Sequence, residues 1–174
     1  MSALTLNRNR LDSKICYKEH KGRKIKYKII DTDADKSKEF IRKGNNALNI
    51  NIVYYDMSNA IIILYDITNQ ASFDDVHFWL NSVKQQCTHN PRILMVGNKA
   101  DVNEKRAVSS MLAARYAAEN GIDFFEISAH DVTSMDKLLN YITTAVLDPP
   151  PKPEHMVSDT RIEGDETFMR CSLA

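Results

Sequence analysis

Three short apolar runs, each followed by a polar loop or a helix pattern, constrain the fold of this 174-residue chain more than any other feature. The segments are Ala60–Tyr65, which is wholly apolar, Arg92–Gly97, which is apolar after Arg92, and Ile122–Ile127, which is apolar except for Asp123 and Glu126. Apolar runs of this length without polar alternation are typical of parallel strands that are covered on both faces. Strands that alternate with helices predict an α/β domain with a doubly wound sheet, in which ligands bind at the carboxyl ends of the strands.

The helices expected between and after these strands have recognisable start and stop signals. Ser72 followed by Asp75 predicts one helix start, and Ser109 and Thr133 predict two more. A proline run, Pro149–Pro151, should end the last helix because proline does not fit a helix interior. Each helix has an apolar stripe that is expected to face the core. The three stripes are Phe73, Val76, Leu80, Val83 and Cys87; Leu112, Ala113, Tyr116 and Ala117; and Leu138, Leu139, Ile142, Ala145 and Val146.

The N-terminal part of the chain follows a different pattern, with a period of two residues. Lys14–His20 and Arg23–Asp31 lean toward β-structure, and the Lys21-Gly22 pair between them predicts a hairpin. Alternation within each strand predicts one buried face. On the first strand that face is expected to carry Ile15 and Tyr17.

Charge and composition exclude several classes of protein. The 23 basic and 23 acidic residues cancel, so no nucleic-acid partner is expected. No apolar run approaches the length of a membrane span, and residues 1–10 lack the apolar segment of a leader peptide. The three cysteines have no disulfide-like or metal-like spacing, which predicts a reduced, cytoplasmic setting. The five histidines have no metal-ligand spacing either.

A polar loop, Asn98-Lys99-Ala100-Asp101, follows the second apolar strand at the edge where ligands are expected. An aspartate carboxylate accepts two hydrogen bonds at once, and only guanine offers a ring N–H beside an exocyclic amino group on one edge. Adenine would leave the carboxylate poorly satisfied. The stem of Lys99 can lie over the flat base, while Asn98 braces neighbouring loops.

A second polar loop, Ser128-Ala129-His130, comes about thirty residues later and strengthens this interpretation. The backbone N–H of Ala129 is a candidate donor to the guanine O6. His130 is a candidate to flank the base, and a plain loop residue is the equal alternative. The two loops together predict a guanine pocket. Its residues are Asn98, Lys99, Asp101, Ser128, Ala129 and His130.

Three stretches of the sequence match one known family. They are Tyr65–Asn69 with Ser72, Phe73 and Trp79, then Gly97–Val102, and then Glu126–Ala129. In this order they resemble the Rab branch of the Ras-like small GTPases, and the similarity covers about residues 11–31 and 54–146. The resemblance implies a small-GTPase-like sheet, GTP or GDP as ligand with Mg²⁺, and effector or regulatory proteins of vesicle trafficking as partners.

The resemblance fails where the family binds phosphate. Small GTPases begin with a strand, a glycine-rich phosphate loop that ends in Gly-Lys-Ser/Thr, and a helix. None of the five glycines of this sequence lies in such a motif. That loop supplies the backbone N–H groups, the lysine and the Mg²⁺-binding hydroxyl that hold the charged part of GTP. The expected fold is therefore a doubly wound α/β sheet that lacks its first strand, phosphate loop and first helix.

A second family motif, Asp-Thr-Ala-Gly-Gln, is also changed, because this chain has Asp31-Thr32-Asp33-Ala34-Asp35. Asp31 can still approach Mg²⁺ through water, which makes it a candidate metal ligand. Ala34 replaces the glycine that meets the γ-phosphate, and Asp35 stands where a glutamine orients the attacking water. The polar residues 33–51 that follow are expected to form a loop. No catalytic residue is assigned, and GTP binding and hydrolysis are expected to be impaired or lost.

The last residues contain one further signal. Residues 148–174 are polar and aperiodic, so they are expected to be a flexible tail, after an extension at residues 1–10 and a partial domain at residues 11–147. The final four residues, Cys171–Ala174, fit a prenylation box, which predicts lipidation of Cys171 and a peripheral place on intracellular membranes. An accidental cysteine is the alternative. A single lipid without a basic stretch would anchor the chain weakly.

Three functions remain open at this point. The first is a Rab-like protein of vesicle trafficking that keeps the guanine-reading loops but has impaired or lost GTP binding and hydrolysis. The second is a fragment of a complete, GTP-hydrolysing Rab GTPase whose first exon is missing from this sequence. The third is an interaction module whose partner supplies the missing central strand, because an absent mid-sheet strand leaves backbone groups unpaired on both sides.

Overall fold

A six-stranded sheet organises the structure, a computed structural model that describes residues 13–32 and 55–149, and the backbone of residues 166–173. The elements are β1 (Ser13–His20), β2 (Arg23–Thr32), β3 (Ala60–Asp66), α1 (Gln70–Asp74), α2 (Val76–Gln86), β4 (Arg92–Asn98), α3 (Ser110–Asn120), β5 (Asp123–Glu126), α4 (Val132–Leu147) and β6 (Glu166–Leu173). The strand order is β1-β2-β6-β3-β4-β5, and only β1 and β2 pair antiparallel. The predicted α/β class with a parallel sheet is confirmed.

Helices cover both faces of this sheet, and alternate residues of β3 contact two separate cores. Ile63 and Tyr65 pack with residues of α1, α2 and α3, whereas Ala60 and Ile62 pack with residues of α4. All four side chains are at most 4% exposed. Burial on both faces explains why this strand is a continuous apolar run in the sequence.

The predicted hairpin is confirmed, but the predicted buried face of its first strand is wrong. Lys21 and Gly22 have φ angles of 51° and 77°, as a two-residue type I′ turn requires. Ile15 and Tyr17 are 52% and 56% exposed. Cys16 is on the opposite face of β1, and it is this face that packs against the core beside α4.

Two helix starts differ from the prediction because other side chains cap the helices. Asn69 caps α1 in place of Ser72, and Asp131 caps α4 in place of Thr133, each by accepting two backbone N–H hydrogen bonds. The start of α3 at Ser109 is confirmed.

The inward stripes of the helices are largely confirmed, with one clear exception. Leu112 is 48% exposed because α3 turns only its alanine positions fully into the core. The stripe residues that are buried are Phe73, Val76, Leu80, Val83, Ala113, Ala117, Leu138 and Ile142.

The last strand, β6, departs most from expectation. It lies between β2 and β3 and pairs in parallel with both, at the position where the resemblance predicted an absent strand. The prediction of a flexible tail is therefore wrong for Glu166–Leu173. Two buried parallel edges need hydrogen-bond partners, and the tail supplies them. The predicted extension at residues 1–10, the predicted loop at 33–51 and the tail at 150–165 lie outside the described residues.

Candidate functional site

The two loops predicted to read guanine lie side by side at one edge of the sheet. They follow β4 and β5, which are parallel neighbours, so both begin at the carboxyl ends of adjacent strands. Two backbone hydrogen bonds join them: the Ile127 N–H donates to the Gly97 carbonyl at 2.8 Å, and the Ala100 N–H donates to the Ile127 carbonyl at 3.0 Å. The structure thus brings together all six predicted base-site residues.

Asn98 fixes the shape of the first loop. Its side-chain oxygen accepts a hydrogen bond from the Lys99 N–H at 2.8 Å, and its carbonyl accepts one from the Ile67 N–H at 3.1 Å. Lys99 has a φ angle of 67°, in the left-handed region that asparagine and glycine usually occupy. The hydrogen bond that the Asn98 side chain accepts from Lys99 compensates for this conformation, and the one that its carbonyl accepts from Ile67 ties the loop to the segment after β3.

The carboxylate of Asp101 is held toward the second loop. The side chain of Ser128 hydrogen-bonds it, and this contact is the main reason that the pKa of Asp101 lies below its ordinary value of 3.8. Ser128 is 6% exposed, and its hydroxyl oxygen also accepts a hydrogen bond from the His130 N–H at 3.1 Å. Asp101 is itself exposed, and its lowered pKa means that an ionised acceptor faces solvent at this edge.

Lys99 has a partner that the sequence analysis missed. Its Nζ lies 2.5 Å from Oδ2 of Asp66, the last residue of β3. The N–H and hydroxyl of Thr68 donate to the other oxygen of Asp66 at 2.8 and 2.7 Å. Burial raises the pKa of Asp66, but the hydrogen bonds from Lys99 and Thr68 outweigh it, so this pKa is lowered overall. The position of Asp66 at the carboxyl end of a strand was the signal that could have identified it.

A cavity of about 490 Å³ opens beside the two loops. Three carboxylates line it, and two of them are engaged within the protein: Glu126 pairs with Arg106, and Asp131 caps α4. Asp101 therefore remains as the carboxylate best placed to accept donors from a ligand. The cavity is lined by Ala100, Asp101, Glu126, Ile127, Ser128, His130, Asp131 and Ser134.

Ala129 is exposed in the second loop, beside this cavity. Within the described part of the chain, its backbone N–H makes no hydrogen bond. An N–H donor and an oriented carboxylate thus lie in two cross-linked loops. Guanine presents the complementary groups, namely a carbonyl oxygen and a pair of N–H donors.

A family model described as the Ras family matches residues 5–148. The chain belongs to the Ras family. Several of its relatives are named as Ras-related or GTP-binding proteins, including Rab-13, which supports the Rab-type small GTPase resemblance.

Three relatives illustrate the extent of the similarity. Ras-related protein RIC1 of Oryza sativa subsp. japonica is 37% identical over 127 residues, which cover 73% of this chain and 58% of the relative. Ras-related protein Rab-13 of Canis lupus familiaris is 32% identical over 137 residues, 79% of this chain and 63% of the relative. GTP-binding protein YPTM2 of Zea mays is 33% identical over 138 residues, 79% and 64% respectively. The chain thus spans about three fifths of the length of these relatives.

The described residues do not form a cluster of side chains that would by itself hold the Mg²⁺ that the Ras family implies. Asp31 aligns through β6 with Ile62, four residues before the end of β3, so it lies about 13 Å along the strands from the level of the guanine loops. No group of three His, Cys, Asp or Glu side chains in the described residues could hold a metal ion. None of the helices in that part of the chain has the length and apolarity needed to cross a bilayer.

A second ion pair missed by the sequence analysis supports both loops. Arg106 donates two parallel hydrogen bonds to Glu126, from Nη1 at 2.7 Å and from Nη2 at 2.9 Å. The hydrogen bonds that Arg106 donates to Glu126 raise the pKa of Arg106. The side chains are 21% and 18% exposed, so solvent screens this pair only partly. It joins the segment after the first loop to the strand that leads into the second.

Replacing Glu126 with glutamine is expected to lower the free energy of unfolding by about 1–2 kcal/mol, because a half-buried guanidinium loses its charged, bidentate partner. Urea unfolding followed by circular dichroism measures this change. Glu119→Gln is the matched control, since Arg115 and Glu119 form an exposed pair with 78% and 58% of their side chains accessible. That control should cost less than about 0.5 kcal/mol. Equal costs for the two variants would contradict the supporting role of the Arg106–Glu126 pair.

Proposed function

We propose that this chain is a Rab-like small-GTPase-related protein that recognises guanine through its two base-reading loops and binds the phosphates weakly or not at all. The observation that carries the proposal is that two backbone hydrogen bonds join the loop of Asp101 to the loop of Ala129, and that Asp101 interacts with Ser128, the residue before Ala129. Family membership and the relatives' names as Ras-related and GTP-binding proteins support it.

Base recognition follows from the chemistry of these groups. The carboxylate of Asp101 accepts from the ring N–H and the amino group of guanine, and the Ala129 N–H donates to the O6 atom. Lys99 is 53% exposed and its stem offers an apolar surface for the flat base. Adenine has an amino group where guanine has O6 and lacks the ring N–H, so it would leave the loop groups unpaired.

We propose that phosphate binding, which the family needs for its activity, is impaired or lost in this chain. The sequence has no Gly-Lys-Ser/Thr motif, and Asp31 belongs to no group of three candidate metal ligands among the described residues. GTP or GDP is therefore proposed as a weak ligand, Mg²⁺ is not required for its binding, and no residue is proposed to be catalytic.

The biological role proposed here is an interaction with trafficking effectors or regulators, in the cytoplasm and at the surface of intracellular membranes. It rests on the resemblance to Rab-type proteins, which implies such partners, and on a relative that is named Rab-13. Peripheral membrane attachment would require a lipid at Cys171.

A fragment of a complete, GTP-hydrolysing Rab GTPase is the second candidate, and one observation favours it. The chain spans only 58–64% of the length of the three relatives compared. Sequencing the full-length transcript separates the two candidates. An upstream strand with a Gly-Lys-Ser/Thr loop would establish the fragment, and its absence from all transcripts would favour the proposed weak binder.

Nuclear magnetic resonance titration with nucleosides tests the proposed base site directly. Guanosine is expected to shift the backbone amides of Ala129 and Asp101, whereas adenosine at the same concentration leaves them unchanged. Amides of the hairpin turn, such as Lys21, provide the internal control because they lie in another part of the sheet. Equal shifts with both nucleosides would refute guanine recognition.

A further inference from the structure

Between β2 and β3 the sheet has a slot for one strand, which can pair with β2 along one edge and with β3 along the other. Residues Lys26–Thr32 of β2 align with β6 on one side, and residues Ala60–Leu64 of β3 align with it on the other. Within the described residues, β2 and β3 do not pair with each other. The strand β6 is therefore the sheet's only hydrogen-bonded connection between the hairpin and the remaining strands in this part of the chain.

An empty slot would be costly because the strands that border it are buried. Ile30 and Thr32 of β2 and Ile61 and Ile63 of β3 are each at most 4% exposed. Their backbone N–H and C=O groups point along the sheet, and without a neighbouring strand they would be left without partners in an apolar environment. Each such group costs on the order of 1–3 kcal/mol.

The chain can reach this slot without strain. Asp148 follows α4, and its Oδ2 lies 3.0 Å from Nε2 of His20 and 2.7 Å from Nζ of Lys21. The end of α4 is therefore at the hairpin turn. The first residue of β6 aligns with Lys26, about three residues into β2. The start of β6 is thus on the order of 15 Å away, and the intervening segment is long enough to span about 50 Å.

The sequence of the segment is compatible with a strand inside the sheet. Residues 166–173 read Glu-Thr-Phe-Met-Arg-Cys-Ser-Leu, with β-forming residues and neither proline nor glycine. The preceding tail differs, since it carries Pro150, Pro151, Pro153 and Gly164. Proline does not fit a central strand because it lacks the N–H that the ladder needs.

We propose that Glu166–Leu173 substitutes, within the same molecule, for the first strand that the Ras family places at this position. The segment is then a structural strand and not a free tether. This inference stands apart from guanine recognition, because it concerns how the sheet is completed rather than what the loops bind. It also answers the proposal that a partner supplies the strand, since the chain fills the slot itself.

One consequence concerns Cys171 and rests on the lipidation proposed above. The backbone of Cys171 aligns with Asp31 on one side and with Ile62 on the other. An enzyme that adds a lipid to Cys171 needs access to the segment around it, which a strand that is paired on both sides does not give. Closure of the sheet and lipidation of Cys171 therefore exclude each other, and lipid addition requires β6 to leave the slot.

Amide hydrogen exchange of the full chain tests the strand. The amides of residues 167–172 are expected to exchange on the order of a hundredfold or more slowly than the same amides in a free peptide of residues 166–174. Exchange at free-peptide rates in the folded chain would overturn the proposal. The measurement needs no variant, so it remains decisive even if altered chains fail to fold.

Two variants at one position separate backbone pairing from the side chain. Arg170 aligns with Ile30 and Ile61, in the middle of both ladders. Arg170→Pro removes the N–H, so it is expected to abolish the amide protection of β6 and to lower the urea midpoint of unfolding. Arg170→Thr keeps the N–H, so amide protection and the urea midpoint should both be retained. Equal behaviour of the two variants would overturn the proposal.

Two further readouts identify the source of the strand and separate it from lipidation. Light scattering should find a monomer in which the amides of β6 are fully protected from exchange. A dimer whose amides are protected only at high protein concentration would mean that two copies exchange β6. That result would overturn closure within one molecule. A prenyl transferase should label the free peptide at least about tenfold faster than the folded chain. Equal labelling rates would overturn closure, and an unlabelled peptide would refute lipidation while leaving exchange to decide the strand.

Discussion

Asp101→Asn is expected to weaken guanosine binding by about a hundredfold, the largest effect of any single substitution at the site. Two hydrogen bonds to a charged acceptor are replaced by one bond to a neutral amide and one clash between donors, and a hundredfold loss corresponds to about 2.7 kcal/mol. Isothermal titration calorimetry or the amide shifts of the second loop measure the change.

Selectivity gives this prediction a second readout. The asparagine amide donates a hydrogen bond, so Asp101→Asn should bind xanthosine better than the parent chain does, since xanthine has a carbonyl where guanine has the amino group. Asp131→Asn is the control, because Asp131 lines the same cavity but its carboxylate caps α4. That variant should keep its base preference and most of its helix stability, because asparagine caps a helix about as well as aspartate does. Unchanged guanosine affinity in Asp101→Asn would remove Asp101 from the site.

Gly97→Ala is expected to destabilise the fold by about 2–3 kcal/mol, because the residue lies against a buried ring. A Cβ at this position would lie 2.8 Å from the Tyr65 hydroxyl oxygen, 2.9 Å from its Cζ and 3.0 Å from Cγ2 of Ile67. The Gly97 carbonyl accepts the 2.8 Å hydrogen bond from Ile127, so a shift of this backbone also moves the second loop. Urea unfolding should show the loss of stability, and guanosine titration a weaker site.

A second substitution shows whether the clash with Tyr65 is the cause. Burial raises the pKa of the Tyr65 phenol, and its hydroxyl has no hydrogen-bond partner in the described residues. Tyr65→Phe alone should therefore be neutral or stabilise the fold by up to about 1 kcal/mol. In the Tyr65→Phe background, Gly97→Ala should lower the free energy of unfolding by at least about 1 kcal/mol less than it does in the parent, since substitutions at contacting residues do not have additive effects. Additive effects of the two changes would contradict this account of Gly97.

The parts of the fold that depend on local patterns could be predicted from the sequence. Ala60–Tyr65 is a strand because no polar residue interrupts it, and Lys21-Gly22 is a turn because both positions require positive φ. The adjacency of the two loops predicted to read guanine follows from the same logic, since parallel neighbouring strands place their loops together. It needed only the strand order β4-β5.

The parts that depend on distant contacts could not be predicted. The end of β3 places Asp66 at the ligand edge, but no spacing in the sequence encodes its pairing with Lys99. The same is true of the pairing of Arg106 with Glu126. The exposed face of β1 depends on which side of the hairpin packs against α4, and alternation alone predicts a buried face without identifying it. The strand β6 is the extreme case. It lies in a polar part of the sequence, and both of its partner strands, β2 and β3, precede it by more than a hundred residues.

Affinities for guanosine, guanosine monophosphate and GDP, measured with and without Mg²⁺, test the central claim most directly. Recognition through Asp101, Lys99 and Ala129 without a phosphate site predicts dissociation constants that agree within about tenfold across the series and do not change when Mg²⁺ is chelated. Adenosine diphosphate provides the control for selectivity. GDP binding at least about a thousandfold tighter than guanosine binding, lost on removal of Mg²⁺, would show that the chain holds phosphate as a complete GTPase does and would contradict the account.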